Sequence, residues 1–103
     1  MELNNIVDIA VAYYKDKVQQ ELLEKFRAEA RLLLLTESEA RREKAGAIVA
    51  EMAKLRIELA KFKFTYEKLS SCCGKVEAVD QYIMDIEKRI KQLSFQKNNR
   101  QFH

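Results

Sequence analysis

A regular apolar stripe runs through the second half of the chain. Between Ile48 and Leu93 apolar residues recur at alternating steps of four and three, which places them along one side of a helix. This mean spacing is typical of a coiled-coil seam. The two steps of three from Cys73 to Val79 would overwind a continuous coil locally. We call these residues the seam: Ile48, Met52, Leu55, Leu59, Phe62, Tyr66, Leu69, Cys73, Val76, Val79, Ile83, Ile86, Ile90 and Leu93.

The spacing of apolar residues along the chain predicts one helical domain over residues 1–103. A first stripe of apolar residues begins near Val7 and continues to Leu33. Thr36-Glu37-Ser38-Glu39 fits a capping box, which predicts that one helix ends near Leu35 and another begins at Glu37. Gly74 predicts either a turn or a kink, and the sequence leaves the two open. The predicted helices span about 3–35, 37–70 and 75–96, followed by a frayed polar tail at 97–103.

Residues 61–68 alternate strictly between polar and apolar, which is a strand pattern. In a helix, Phe62 and Tyr66 lie on the seam and Phe64 points away from it. We favour the helix, because the partner of a short strand here would have to be another copy of itself.

The composition excludes a many-stranded β fold, since the chain has no proline and two glycines. A straight helix over the 46 residues from Ile48 to Leu93 would be roughly 70 Å long. The seam must therefore fold back or pack against other copies, and we expect both. The expected subunit is an elongated helical hairpin or coiled coil that forms a homo-oligomer. The residues expected at the contact between copies are Val76, Val79, Ile83, Ile86, Ile90 and Leu93.

Several classes of protein are disfavoured. Glu2 and Asp8 do not fit a signal peptide, and the longest apolar run, Leu32–Leu35, is too short to cross a membrane. We expect a cytoplasmic chain with no membrane partner, in which the adjacent Cys72 and Cys73 are reduced thiols. His103 is the only histidine and no glycine-rich phosphate loop exists, so we expect no catalysis, metal or cofactor.

Charge is distributed unevenly around a formal net charge of +3. Residues 1–40 carry five Lys/Arg against eight Asp/Glu, whereas residues 41–103 carry fourteen against eight. Two interpretations remain open. The basic residues are the solvated face of a helix packed beside an acidic one, or they form a stripe that follows a phosphate backbone while interleaved rings stack on bases.

Two segments resemble the UvsY-type recombination mediator proteins of large tailed phages. Lys54-Leu55-Arg56-Ile57-Glu58 is similar to the family's Lys-x-Arg-apolar-acidic segment, and Cys72–Val79 is similar to its Cys-x-Gly-x-apolar-acidic-Ala-apolar segment. The likeness continues through Ile86, Ile90, Leu93 and Phe95. The resemblance implies a phage-encoded helical subunit in the host cytoplasm that forms a ring-like homo-oligomer and binds single-stranded DNA. It also implies displacement of a single-strand-binding protein and loading of a RecA-like recombinase.

Two functional hypotheses follow. The first is an oligomeric single-stranded-DNA-binding mediator of recombination and repair. The alternative is a coiled-coil adaptor, scaffold or assembly chaperone that binds partner helices and no nucleic acid. Exposure of Phe64 beside lysines favours DNA, whereas burial at a protein contact favours the adaptor. The candidate nucleic-acid-binding residues are Lys54, Arg56, Lys61, Lys63 and Phe64.

Overall fold

The chain folds into four α-helices. A computed structural model describes the backbone of residues 2–42 and 48–101, and the side chains of residues 2–40 and 52–92. The predicted all-α class is confirmed for these residues, which contain no strand. The helices are α1 (Leu3–Tyr14), α2 (Gln20–Arg42), α3 (Ile48–Cys73) and α4 (Glu77–Gln101).

The seam forms the core of the single chain. Most of its side chains on α3 and α4 are less than 10% exposed, and they pack with apolar residues of α1 and α2. At the centre, Phe62 stacks on Phe26 of α2 with ring centroids 4.9 Å apart, and Tyr82 meets Phe62 edge-on. The helix pair with the most extensive contact is α2 with α3. Burial within one chain therefore satisfies the predicted apolar stripe.

The prediction of one helix over 3–35 is wrong. The first helix ends at Tyr14, and a turn over residues 15–19 precedes α2. The break lets α1 fold back and pack against both α2 and α4. The Tyr14 hydroxyl donates a hydrogen bond of 2.6 Å to the carbonyl oxygen of Gly74, which fixes the end of α1 to the α3–α4 connection.

The predicted boundary at Thr36 is also wrong, because α2 continues to Arg42. Instead of capping a new helix, the Thr36 hydroxyl donates to the Leu32 carbonyl one turn earlier. Glu37 is buried, where its carboxylate accepts hydrogen bonds from Tyr82 and Arg89 of α4. The long α2 therefore extends over residues assigned from sequence to the next helix. Gly46 lies outside the described residues.

Residues 61–68 are helical, as favoured over a strand. The alternating pattern arises because aromatic residues that face the core and one that faces solvent follow each other at every second position. Phe62 and Tyr66 face the core, and Phe64 is exposed. The alternation therefore marks a helix that carries aromatic residues on two sides.

Gly74 makes a turn. Its φ of +103° is favoured by glycine, and a Cβ there would lie 2.9 Å from the Tyr13 hydroxyl oxygen. Beyond the turn, the Tyr66 hydroxyl donates to the carbonyl of Val76 and accepts from its N–H. Burial raises the pKa of Tyr14 above its usual value and that of Tyr66 to about 12.

The last helix starts two residues later than predicted and extends further. It spans Glu77–Gln101, so the backbone of most of the predicted frayed tail is helical. Side chains beyond residue 92 lie outside the described residues, as do residues 102–103.

Candidate functional site

A groove between α3 and α4 combines apolar and basic side chains. It has a volume of about 720 Å³ and is open to solvent. Cavities of this size hold small organic ligands in other proteins. We call it the α3–α4 groove; it is lined by Arg56, Leu59, Ala60, Lys63, Phe64 and Glu67 of α3, and Met84, Glu87, Lys88, Ile90 and Lys91 of α4.

Helical spacing brings these residues together. On α3, Arg56, Ala60, Lys63 and Glu67 recur every three or four positions and so share one face beside the seam. The lining residues of α4 follow the same spacing. The buried seam residues Leu59 and Ile90 lie where the two faces meet. The packing of the seam thus positions the groove.

Two large apolar side chains of the groove are exposed. Phe64 is 56% exposed and Met84 is 64% exposed. The ammonium nitrogen of Lys68 lies 4.5 Å from the centroid of the Phe64 ring, a cation–π contact. A flat aromatic ring is therefore presented next to a cation and beside the open groove.

The groove has a net positive charge, since four cations line it against the carboxylates of Glu67 and Glu87. Lys63 of α3 and Glu87 of α4 form an ion pair, with Nζ and Oε1 3.4 Å apart. Both side chains are well exposed, so this pair stabilises the fold by about 1 kcal/mol or less. Lys88 and Lys91 form no ion pair with any residue that the structure describes. Cationic groups therefore remain available to an anionic ligand.

The structure brings three of the five candidate nucleic-acid-binding residues into the groove: Arg56, Lys63 and Phe64. Lys54 and Lys61 do not line it, because they lie about 140 to 160° around the helix from Arg56. The Lys61 ammonium is instead 3.6 Å from the Glu58 carboxylate. The predicted role of Lys54 and Lys61 in nucleic-acid binding therefore stays a prediction that the groove does not support.

The contribution of α4 to the groove was missed. Met84, Lys88 and Lys91 follow one another at steps of four and three, off the seam. That spacing predicts a shared helix face, whereas the sequence analysis assigns only the seam residues of α4 a role, in contacts between copies.

The residues predicted at the contact between copies are core residues instead. Val76, Val79, Ile83, Ile86 and Ile90 are all 8% exposed or less within the single chain. Side chains buried to this extent by their own chain leave little apolar surface for contact with another copy in this fold. The side chain of Leu93 lies outside the described residues.

The cysteine prediction also differs from the structure, in which Cys72 and Cys73 are joined by a disulfide bond.

Among the described residues, no three His, Cys, Asp or Glu side chains cluster as a metal site would require. No helix in this part of the chain is long and apolar enough to cross a membrane.

No protein-family model, curated protein or solved structure matches the chain. The resemblance to UvsY-type mediators therefore stays a prediction, and the groove itself is the basis for a functional proposal.

Proposed function

We propose that the chain binds single-stranded nucleic acid in the α3–α4 groove. The observation that carries this proposal is the exposed ring of Phe64 beside a groove with excess positive charge. An exposed ring stacks on an unpaired base and contributes about 1–3 kcal/mol per base. Lys63, Lys88 and Lys91 neutralise the phosphates, which makes the affinity fall with salt.

A single strand fits this site better than a duplex. Bases inside a duplex are covered by their stacked neighbours, and an enzyme that needs one must first expose it. Phe64 is one of the side chains that line a groove between two helices, so we expect it to stack on a base that is already unstacked. Ring stacking and contacts to phosphates are possible with every base, so we expect little preference for sequence.

The UvsY-type resemblance extends the proposal to a biological role. Of its first motif, Arg56 lines the groove, which supports nucleic-acid contact by that segment. We propose that the chain is a DNA recombination and repair mediator, which displaces a single-strand-binding protein and helps to load a RecA-like recombinase. This role rests on the resemblance, whereas binding of single strands rests on the groove.

A homo-oligomer would strengthen binding by engaging one strand at several sites. Because the predicted contact residues with described side chains are buried, we propose that copies associate through other apolar side chains. Leu32 and Leu35 are 49% and 54% exposed and lie one turn apart on α2. Light scattering with and without oligonucleotide tests whether copies associate. A monomer in both conditions contradicts the homo-oligomer.

The test of the groove is a titration of a labelled oligothymidine with the purified chain, followed by fluorescence anisotropy at several salt concentrations. The informative variant is Lys88→Gln/Lys91→Gln. We expect weaker binding and a log–log salt slope shallower by about 1.4, since each phosphate contact to a single strand contributes about 0.7.

The matched control is Lys54→Gln/Lys61→Gln, which removes the same charge from α3 outside the groove. Unchanged or slightly reduced affinity in the control supports the groove. An equal loss in both variants would show that total charge, and not the groove, determines binding.

A partner helix is the second candidate ligand. The exposed Met84 favours it, since flexible methionine side chains adapt to varied apolar helix faces. This function predicts no binding of oligothymidine even at low salt. The same titration therefore separates the two candidates.

A further inference from the structure

The disulfide between Cys72 and Cys73 lies where two connections of the fold meet. The α3–α4 turn follows it directly, and the α1–α2 turn packs against it. The hydroxyl of Tyr13 donates a hydrogen bond of 3.0 Å to the carbonyl of Cys73. The disulfide bond therefore lies on a surface that both connections form at one end of the helices.

The two sulfur-bearing residues differ in access. Cys72 is exposed and lines a second pocket, of about 530 Å³, whereas Cys73 is half-buried. The Cys73 sulfur lies 3.7 Å from the carbonyl oxygen of Lys17. A reagent that approaches from the pocket therefore meets the Cys72 sulfur first.

The charge around this pocket is mainly positive. Lys15, Asp16 and Lys17 line it together with the apolar Val18 and Leu22. Lys17 is held in place, since its ammonium lies 4.3 Å from the centroid of the Tyr13 ring and 3.4 Å from the Tyr13 carbonyl oxygen. Two ammonium groups against one carboxylate favour an anionic reagent.

We propose that Cys72 is a thiol–disulfide exchange site for small anionic thiols, which bind in the pocket beside Lys15 and Lys17. The thiolate of the reagent attacks the Cys72 sulfur, and the Cys72–Cys73 bond breaks with Cys73 leaving as the thiolate. The product is a mixed disulfide on Cys72. A second molecule of the thiol then attacks the reagent's sulfur, which releases Cys72 as a thiolate and forms the reagent disulfide. Overall, two thiols are oxidised and the protein gains two electrons and two protons.

The test compares reduction of the oxidised full chain by anionic mercaptoethanesulfonate and cationic cysteamine. Each rate is expressed per thiolate and divided by the rate of the same reagent with uncharged hydroxyethyl disulfide, which removes intrinsic differences in nucleophilicity. We expect mercaptoethanesulfonate to be favoured on the order of tenfold, the lower end of steering by a basic cleft. High salt and the variant Lys15→Gln/Lys17→Gln should abolish this preference.

The variant Lys54→Gln/Lys61→Gln is the control, since it removes the same charge elsewhere and should keep the preference. Acid-quenched intermediates mapped by fragmentation in a mass spectrometer should carry the adduct on Cys72. Equal normalised rates for the two thiols, or an adduct on Cys73, would overturn the proposal. So would two free thiols in the chain after treatment with a mild oxidant. None of these readouts depends on nucleic-acid binding.

Discussion

Phe62 and Phe64 are two residues apart on α3 and occupy opposite environments. Phe62 is fully buried, with Phe26 stacked on it and Tyr82 packed against its edge. Phe64 is 56% exposed and contacts the ammonium of Lys68. The comparison separates the two sides of α3. One side holds the helices together, and the other faces the groove.

The difference indicates which aromatic residue is explained by folding. Burying a phenylalanine side chain stabilises a protein by about 1.5–3 kcal/mol relative to leaving it exposed. Phe62 contributes this to the core, whereas the fold obtains little of it from Phe64. An aromatic ring whose exposure folding does not require, beside a basic groove, is a candidate for ligand contact.

The largest expected effect comes from exchanging each ring for alanine. Phe62→Ala should lower the free energy of unfolding by about 3–5 kcal/mol, because it leaves a cavity in the core. Phe64→Ala should change it by less than about 0.5 kcal/mol. Urea denaturation followed by circular dichroism measures both.

For binding of oligothymidine we expect the opposite, with Phe64 more important than Phe62. Phe64→Ala should weaken binding of oligothymidine by about 1–3 kcal/mol, through loss of one stacking contact. Phe64→Tyr is the conservative control and should bind normally. If Phe64→Ala binds with normal affinity, Phe64 is not part of the site. If Phe64→Ala is strongly destabilised, the two sides of α3 do not differ in their contribution to folding.

The next effect concerns the polar side chain that directly follows Phe64 in the chain. Thr65 is buried, and its hydroxyl donates a hydrogen bond of 2.5 Å to the carboxylate of Glu29. Thr65→Val keeps the shape but leaves the buried carboxylate without this donor, so we expect a loss of about 1–3 kcal/mol of stability. Thr65→Ser restores the hydroxyl and should recover most of it. Equal stability of the valine and serine variants would show that the bond contributes nothing.

Sequence reasoning succeeded where periodicity is the dominant signal. The spacing of the seam predicted both its helical form and the placement of Phe64 away from it, because these follow from the geometry of a single helix. It failed at Tyr14 and at Thr36. The break after Tyr14 has neither glycine nor proline. Helix α2 passes through Thr36 because the buried Glu37 accepts hydrogen bonds from side chains of α4.

The candidate site was predicted in part for the same reason. Arg56, Lys63 and Phe64 lie on one element, and their spacing is readable in the chain. Which face of α4 meets them depends on how α3 and α4 pack after the turn at Gly74. Whether the seam is covered by the same chain or by another copy is likewise decided by tertiary packing, which periodicity does not specify.

A pH effect should test the buried side of α3 further. Burial raises the pKa of Tyr66 from 10.0 to about 12, so the folded state holds the phenolic proton more tightly than the unfolded state does. This stabilising contribution is complete below pH 10 and is lost as the pH rises from 10 to 12. Tyr66→Phe should lose less stability than the parent chain over that window. Parallel decreases in the two proteins would contradict a buried, protonated Tyr66.

The smallest effect is expected at the ion pair beside the groove. Glu87→Gln frees Lys63 and removes a negative charge from the site, so affinity for oligothymidine should rise by about 1 kcal/mol or less. Stability should hardly change, because both side chains are exposed. Asp85→Asn is the matched control, since Asp85 is an exposed carboxylate of α4 that does not line the groove. A rise confined to Glu87→Gln means that Lys63 is used by the ligand and that the intact pair competes with it. An equal rise in both variants would show that affinity depends on the total charge of the surface and not on the pair between Lys63 and Glu87.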